Sequence, residues 1–193
     1  VTEPLQVLHL DEHVVAVDKP PGLLVHRTHK GANEEALLQR LRDQLGRRIY
    51  PVHRLDRAAS GVIAFALASE HTAGLQAGFQ APDALKEYLV LARGICLEPF
   101  ESRRPLTDDK GVERDAWTEL APVMVLPESR CSLLRVRIHT GRQHQIRRHL
   151  AHLAHHVLGD TRYGKGRDNR FHRQRYGLPR LAHRVGHGPS RDA

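Results

Sequence analysis

One carboxylate in this sequence is set apart by its neighbours. Asp56 lies between Arg54 and Arg57, three residues after His53, and Ser60-Gly61 then lead into the apolar run Val62-Ile63-Ala64-Phe65-Ala66-Leu67-Ala68. At the mouth of such a run, desolvation favours the protonated acid, while a nearby guanidinium favours the anion. A carboxylate kept charged by arginine in a partly dry site is a ready nucleophile. Arg54 and Arg57 are the local candidates for that cation, and Arg142, Arg147 and Arg148 the distant ones. The same spacing also suits an ordinary Asp–Arg salt bridge tying a loop to a sheet, and on spacing alone that plainer reading is the better one.

The second chemical stretch is His139-Thr140-Gly141-Arg142-Gln143-His144-Gln145-Ile146-Arg147-Arg148-His149. Thr140 and Gln143 have the spacing of a capping box, which predicts a helix starting there. A glycine beside a helix start, with arginines in the first turns, suits a phosphate or carboxylate. A solvated basic helix face is the plainer alternative. His149, His152, His155 and His156 recur at helix-like separations, as metal ligands can. No H-E-x-x-H pattern or nearby cysteine accompanies them, so no metal is expected. Tyr88 shares a strand face with Val90; it reads as a half-buried sheet residue or, in a nucleic-acid enzyme, as a base-stacking one.

These residues need elements to hold them. Val14–Val17 reads as a strand stopped by Asp18-Lys19-Pro20-Pro21-Gly22, and Leu23–Val25 as a second extended piece. Asn33 is placed to cap a helix bearing Leu37, Leu38, Leu41 and Leu45, ended by Gly46. Residues 62–68 read as a buried strand, and Ser69 as the cap of a short helix with Leu75 and Phe79 that Pro82 stops. Residues 85–92 alternate as a strand with Tyr88, Val90 and Ala92 on one side; 96–115 read as a loop. Residues 133–138 alternate with Leu134, Val136 and Ile138 on one face. The helix opened by Thr140 is expected to bury Ile146, Leu150 and Leu153. Helices and strands do not alternate strictly, which predicts an α+β fold with a mixed, mostly antiparallel sheet flanked by helices.

Charge narrows the partner. From Arg135 to the end there are 14 basic residues against three acidic, while the rest of the 193-residue chain holds 16 against 19. That local excess points to a polyanion, nucleic acid first. No apolar run reaches membrane-span length, the start lacks a signal-peptide layout, and Cys96 and Cys131 lack metal-knuckle spacing. A cytoplasmic protein without a membrane partner is expected.

Taken in chain order, the segments resemble those of the RluA-type pseudouridine synthases. The matching stretches are Asp18–His26, His53-Arg54-Leu55-Asp56 with Ser60-Gly61, and Lys86-Glu87-Tyr88. They continue through Pro105-Leu106, Asp115-Ala116 with Thr118, Thr140–Arg147 and Gly159-Asp160 with Tyr163-Gly164, together spanning roughly residues 7–181. Within that family, Arg147–His155, Asn169-Arg170 and Tyr176–Leu181 are most similar to the branch acting on uridine 65 of tRNA.

The resemblance implies a pseudouridine synthase catalytic domain over 1–181, without an S4-type RNA-binding appendage. By that resemblance Asp56 is the nucleophile, attacking the target uridine at the ribose or the uracil ring. Arg147 keeps it ionised, and Tyr88 packs on the uracil and assists loss of the C5 proton. Arg54 fills the gap left by the flipped base. His53, Arg57, Arg142, His144 and Arg148 are expected to bind substrate, with no cofactor and no metal, in a protein taken as a monomer. Ala59 stands where the family usually has Thr, and His156 where it usually has Pro. The family's closing strands are expected to be missing, leaving 182–193 as an atypical tail. Alternatives are an RNA-binding remnant with weak or no activity, and a synthase acting on ribosomal RNA. A glycosidase-like hydrolase needs a second carboxylate nearby, and residues 139–150 contain none.

Overall fold

A computed structural model of the chain describes residues 3–27, 35–164 and 183–186. Contacts gather into two compact units, Val1–Ala81 and Pro82–Ala193.

In the first unit, β1 (Val7–Leu10) pairs antiparallel with β2 (Val14–Lys19), and β2 pairs antiparallel with β4 (Ser60–Ala66). A short β3 (Tyr50–Pro51) adds to β4 at Ala66 and Phe65. Cross-strand partners share a face. Val15 and Val17 therefore sit with Phe65 and Ile63, all four without exposure. Ala64 and Ala66 cover the opposite face, where Val52, Tyr50, Leu75 and Phe79 pack. β4 is thus apolar on both faces, which is why its sequence does not alternate.

Helix α1 (Leu37–Leu45) buries Leu37 and Leu41 and ends at Gly46, whose φ of 63° suits glycine at a helix terminus. The expected cap Asn33 lies outside the described residues; the residue before α1 is Ala36, which offers no side-chain cap. Leu23–Val25 contributes only one bridge, Leu24 to Ala36, rather than a strand. Ser69 opens a 3-10 turn, Ser69–His71, that runs into α2 (Thr72–Gln80). Its hydroxyl bonds the Glu70 carboxylate rather than capping α2.

The second unit carries an antiparallel sheet built on β5 (Glu87–Arg93), β10 (Cys131–Ile138) and β9 (Thr118–Leu126), with β6 (Phe100–Ser102) outside β9. On the far side of β5 lies β11 (His183–Gly186), a strand within the stretch expected to be a tail. β7 (Leu106–Thr107) and β8 (Glu113–Arg114) form a separate ribbon. Residues 96–115, expected to be loop, therefore hold three short strands. Their two- or three-residue lengths leave no period to read.

The alternation expected in β5 and β10 is present: Val90, Ala92, Leu134, Val136 and Ile138 are buried. Helix α3 (Gln145–His152) lies against β9. It buries Gln145, His149 and Leu150, while Ile146 is half-buried and Leu153 exposed, unlike the expectation. Among the described residues no helix is long and apolar enough to cross a membrane.

Candidate active site

The loop from Val52 to Ala59 is fastened by its apolar residues. Val52, Leu55 and Ala59 are buried, and between them Asp56 is left half-buried while Arg54 and Arg57 are exposed. The Ala59 amide donates to the Asp56 carbonyl at 3.0 Å, turning the chain into β4. Gly61 follows with φ of 116°, a conformation that glycine adopts without strain.

A second segment locks this loop from beneath. Lys19, at the end of β2, lies on the face of Val15 and Val17 and has no exposure. Its ammonium donates to the carbonyls of Pro20 (2.9 Å), Arg57 (3.1 Å) and Ala59 (2.7 Å). Three protons meet three acceptors. Burial pushes the Lys19 pKa down to about 8, against the pull of the Asp56 charge, which favours the ammonium. The Arg57 carbonyl also accepts the Gly22 amide at 2.8 Å, and Arg57 Nε donates to the Gly22 carbonyl at 3.0 Å. The sequence points to arginine as the cation felt by Asp56. Within this unit Lys19 is coupled to it, a residue of the Asp18–His26 segment for which the sequence suggested no role. Its signal is a lysine closing an otherwise buried strand face.

His53 accepts the Ala64 amide at Nε2 (2.9 Å), and its ring lies 4.4 Å from that of Phe79. One ring nitrogen is thus used inside the unit to join the loop to β4.

In the second unit, Tyr88 is half-buried on β5 opposite Val136, on the face that carries Val90 and Ala92. Lys86, two residues before it, is held below the usual lysine range by burial. The segment entering α3 departs from the expected capping box. His144, not Thr140, precedes the helix, and its φ of 52° is left-handed. The tie-back is made by Gln145 rather than Gln143. Gln145 Oε1 accepts from the Thr140 hydroxyl (2.8 Å) and the Arg142 amide (3.0 Å). Its Nε2 donates to the Trp117 carbonyl (2.9 Å) and Thr118 Oγ1 (3.0 Å). A buried amide with both ends bonded fixes the loop to β9.

From this start the basic side chains diverge. Arg142 Nε donates to the Asp115 carbonyl at 2.8 Å, and Arg148 Nη1 to the Thr107 carbonyl at 2.9 Å. His144 Nδ1 meets the Tyr163 hydroxyl at 2.9 Å. Arg147 forms a two-pronged pair with Asp160, Nε to Oδ2 at 2.8 Å and Nη2 to Oδ1 at 3.0 Å.

The histidines have separate environments. His149 is fully buried; Nε2 faces the Arg104 carbonyl and Nδ1 the Thr118 hydroxyl, both at 2.9 Å. A carbonyl can only accept, so Nε2 carries a proton. Burial holds the His149 pKa below its usual value. His155 Nδ1 instead bonds the Arg93 carbonyl. Among the described residues no group of three or more His, Cys, Asp or Glu side chains is arranged to hold a metal.

Thus Asp56, His53, Arg54 and Arg57 belong to one fastened loop of the first unit. Arg142, His144, Arg147 and Arg148 belong to the start of α3 in the second, and Tyr88 to β5. The segments Asn169-Arg170 and Tyr176–Leu181 lie outside the described residues.

Comparison with known proteins adds to this geometry. The pattern of the family described as RNA pseudouridylate synthase matches residues 13–152. The chain is 39% identical to the tRNA pseudouridine synthase C of Pasteurella multocida, covering 92% of this chain and 82% of that protein. It is 38% identical to the tRNA pseudouridine synthase C of Vibrio vulnificus, covering 92% and 81%. Among solved structures, human RNA pseudouridylate synthase domain containing 1 is similar with a TM-score of 0.76 at 22% identity, covering 95% of this chain and 77% of that one. Human RNA pseudouridylate synthase domain containing 4 follows at 0.74 and 20%, covering 93% and 81%.

Proposed function

Since the chain belongs to the RNA pseudouridylate synthase family, we propose that it converts a uridine of tRNA, at position 65, to pseudouridine with Asp56 as nucleophile. The reaction balances within the nucleoside. The bond from uracil N1 to ribose C1′ breaks, the uracil turns, and C5 bonds to C1′. C5 gives up a proton and N1 gains one, so no oxidant, reductant or cofactor is consumed. Asp56 bonds transiently to the ribose or the ring and is released when the new bond forms.

The remaining roles in this reading are those that the resemblance to the family implies. Arg147 supplies the guanidinium that pairs with Asp56 and keeps it anionic. Tyr88 lies against the uracil and assists departure of the C5 proton. A stacked base cannot be reached, so the uridine is extruded, and Arg54 fills the space it leaves. Arg57, Arg142, His144 and Arg148 meet phosphates, and His53 holds the nucleophile loop against β4 while lining the substrate's path. In this reading one chain carries all of these groups and acts as a monomer in the cytoplasm.

The observation that carries the reading is the fastened loop itself. A half-buried carboxylate stands on a turn whose carbonyls are clamped by a buried ammonium, which costs more than a surface salt bridge requires. The test is tritium release from tRNA labelled at uridine C5, with Asp56→Asn beside the unaltered chain. Release by the unaltered chain, and loss of at least about 1,000-fold in the variant, is expected for removal of a nucleophile. Equal release by both removes Asp56 from the role, and no release by either overturns the activity.

A further inference from the structure

The Gly159-Asp160 and Tyr163-Gly164 motif holds a carboxylate that grips Arg147 with two bonds. We propose that Asp160 is a positioning residue for the isomerisation, orienting the Arg147 guanidinium; this rests on Arg147 serving Asp56 as proposed above.

Asp160 has little freedom. The residue is 1% exposed. Oδ1 accepts the backbone amides of Arg162 (2.9 Å) and Tyr163 (3.2 Å), so its own turn fixes the plane of the carboxylate. Burial alone would raise the carboxyl pKa. The bond and charge of Arg147, with those two amides, outweigh it and hold the group below the usual carboxylate range. A carboxylate locked in this way cannot swing to follow an arginine. The arginine must conform to it.

The turn is itself fastened to the strand that carries Tyr88. Val157 bridges Ala92, the Leu158 amide donates to the Leu91 carbonyl at 2.8 Å, and the Arg93 amide donates to the His156 carbonyl at 2.9 Å. Asp160 therefore links β5, bearing Tyr88, to α3, bearing Arg147. The Tyr163 ring centre lies 5.1 Å from the Arg147 guanidinium carbon, and its hydroxyl meets His144, one turn before Arg147. The guanidinium is held at one edge by a carboxylate and flanked by a ring.

The choice of donors matters. Asp160 takes Nε and Nη2, the side edge of the planar group. The end edge, formed by Nη1 and the second proton of Nη2, is then aimed along the side chain's own axis. Guanidinium is a rigid fork, so fixing one edge fixes the direction of the other. A long, flexible arginine becomes a directed donor pair, and displacement by about 1 Å at a reacting group costs on the order of 100-fold in rate.

A purely structural salt bridge predicts a different outcome, and kinetics on the full chain separates the two. Turnover, tRNA affinity and melting temperature are measured for the unaltered chain, Asp160→Asn, Arg147→Lys and the double variant. Asn keeps an oxygen for the amides of Arg162 and Tyr163, so the turn survives. Asp160→Asn is expected to lower kcat by about 100-fold with tRNA affinity within about twofold. In the Arg147→Lys background, the same change should cost less than about threefold, because no fork remains to aim. Should Asp160→Asn melt too early to assay, Asp160→Glu keeps the charge, shifts the carboxylate by one methylene, and is expected to lose kcat at unchanged affinity. Equal losses in both backgrounds, full kcat in Asp160→Asn or Asp160→Glu, or a loss only in affinity overturns the assignment while leaving the synthase reading intact. An unaltered chain that releases no tritium overturns both.

Discussion

Lys19 and Asp56 show how one buried cation can hold a reactive loop. The ammonium is costly where it sits, which is why burial pushes its pKa down to about 8. Three carbonyl acceptors offset that cost, and two of them, those of Arg57 and Ala59, belong to the loop that presents Asp56. Lys19→Met fits the volume and removes the charge, taking this donor from the buried Ala59 carbonyl and from that of Pro20, while the Arg57 carbonyl keeps the Gly22 amide. An unmet buried polar group outweighs the relief of losing the charge, so the variant is expected to be less stable by about 2 kcal/mol. Urea unfolding checks this; a midpoint equal to or above that of the unaltered chain would contradict it. The spacing around Asp56 suits a plain salt bridge at least as well as a nucleophile, and its proposed role comes from the likeness of the His53–Asp56 segment to the family's motif. The part Lys19 plays is not legible in the sequence, because its partners are backbone carbonyls, which leave no mark on the residues around it.

At the level of elements, α3 is held by polar contacts that a hydrophobic pattern could not announce. Thr118 at the start of β9 accepts from Gln145 and donates to His149, and both helix residues are buried. This arrangement makes the second unit sensitive to acid. The folded state keeps His149 neutral with its pKa below 6.5, while the unfolded chain protonates near 6.5. Below that pH the unfolded state binds more protons, so stability falls as pH drops from 6.5 toward the lower folded value. The melting temperature is expected to fall over that window, and His149→Gln to flatten the slope; parallel slopes would refute the assignment.

The strands β2, β4, β5 and β10 were readable from apolar runs or clean alternation, and so were the bodies of α1 and α2. β9 leaves a weak mark in the sequence because Pro122 interrupts it, and proline is disfavoured inside strands. The register explains the tolerance: Pro122 faces Leu134 where the β9–β10 ladder shifts between Leu133 and Leu134. The capping-box error has a similar origin. Gln143 has the right spacing, but left-handed His144 delays the helix and gives the tie-back to Gln145.

For the whole molecule the governing feature is uneven charge. The chain carries a formal net charge of +8, and its excess of basic residues lies from Arg135 onward. A polyanion bound through such a segment releases counterions, so affinity for tRNA should fall steeply with salt. Arg142→Ala and Arg148→Ala are each expected to weaken tRNA binding and to reduce the slope of log affinity against log salt by about 1. An unchanged slope would remove that arginine from the phosphate contacts. In turnover assays the same loss should show as a raised KM, since a phosphate contact far from the reacting atoms binds ground and transition states alike.

The most direct test of the central claim is a nucleotide-resolution map of pseudouridine in tRNA lacking the modification, after incubation with the unaltered chain or with Asp56→Asn. The account predicts one new pseudouridine, at position 65, with the unaltered chain and none with the variant. The same pseudouridine appearing with both would contradict it.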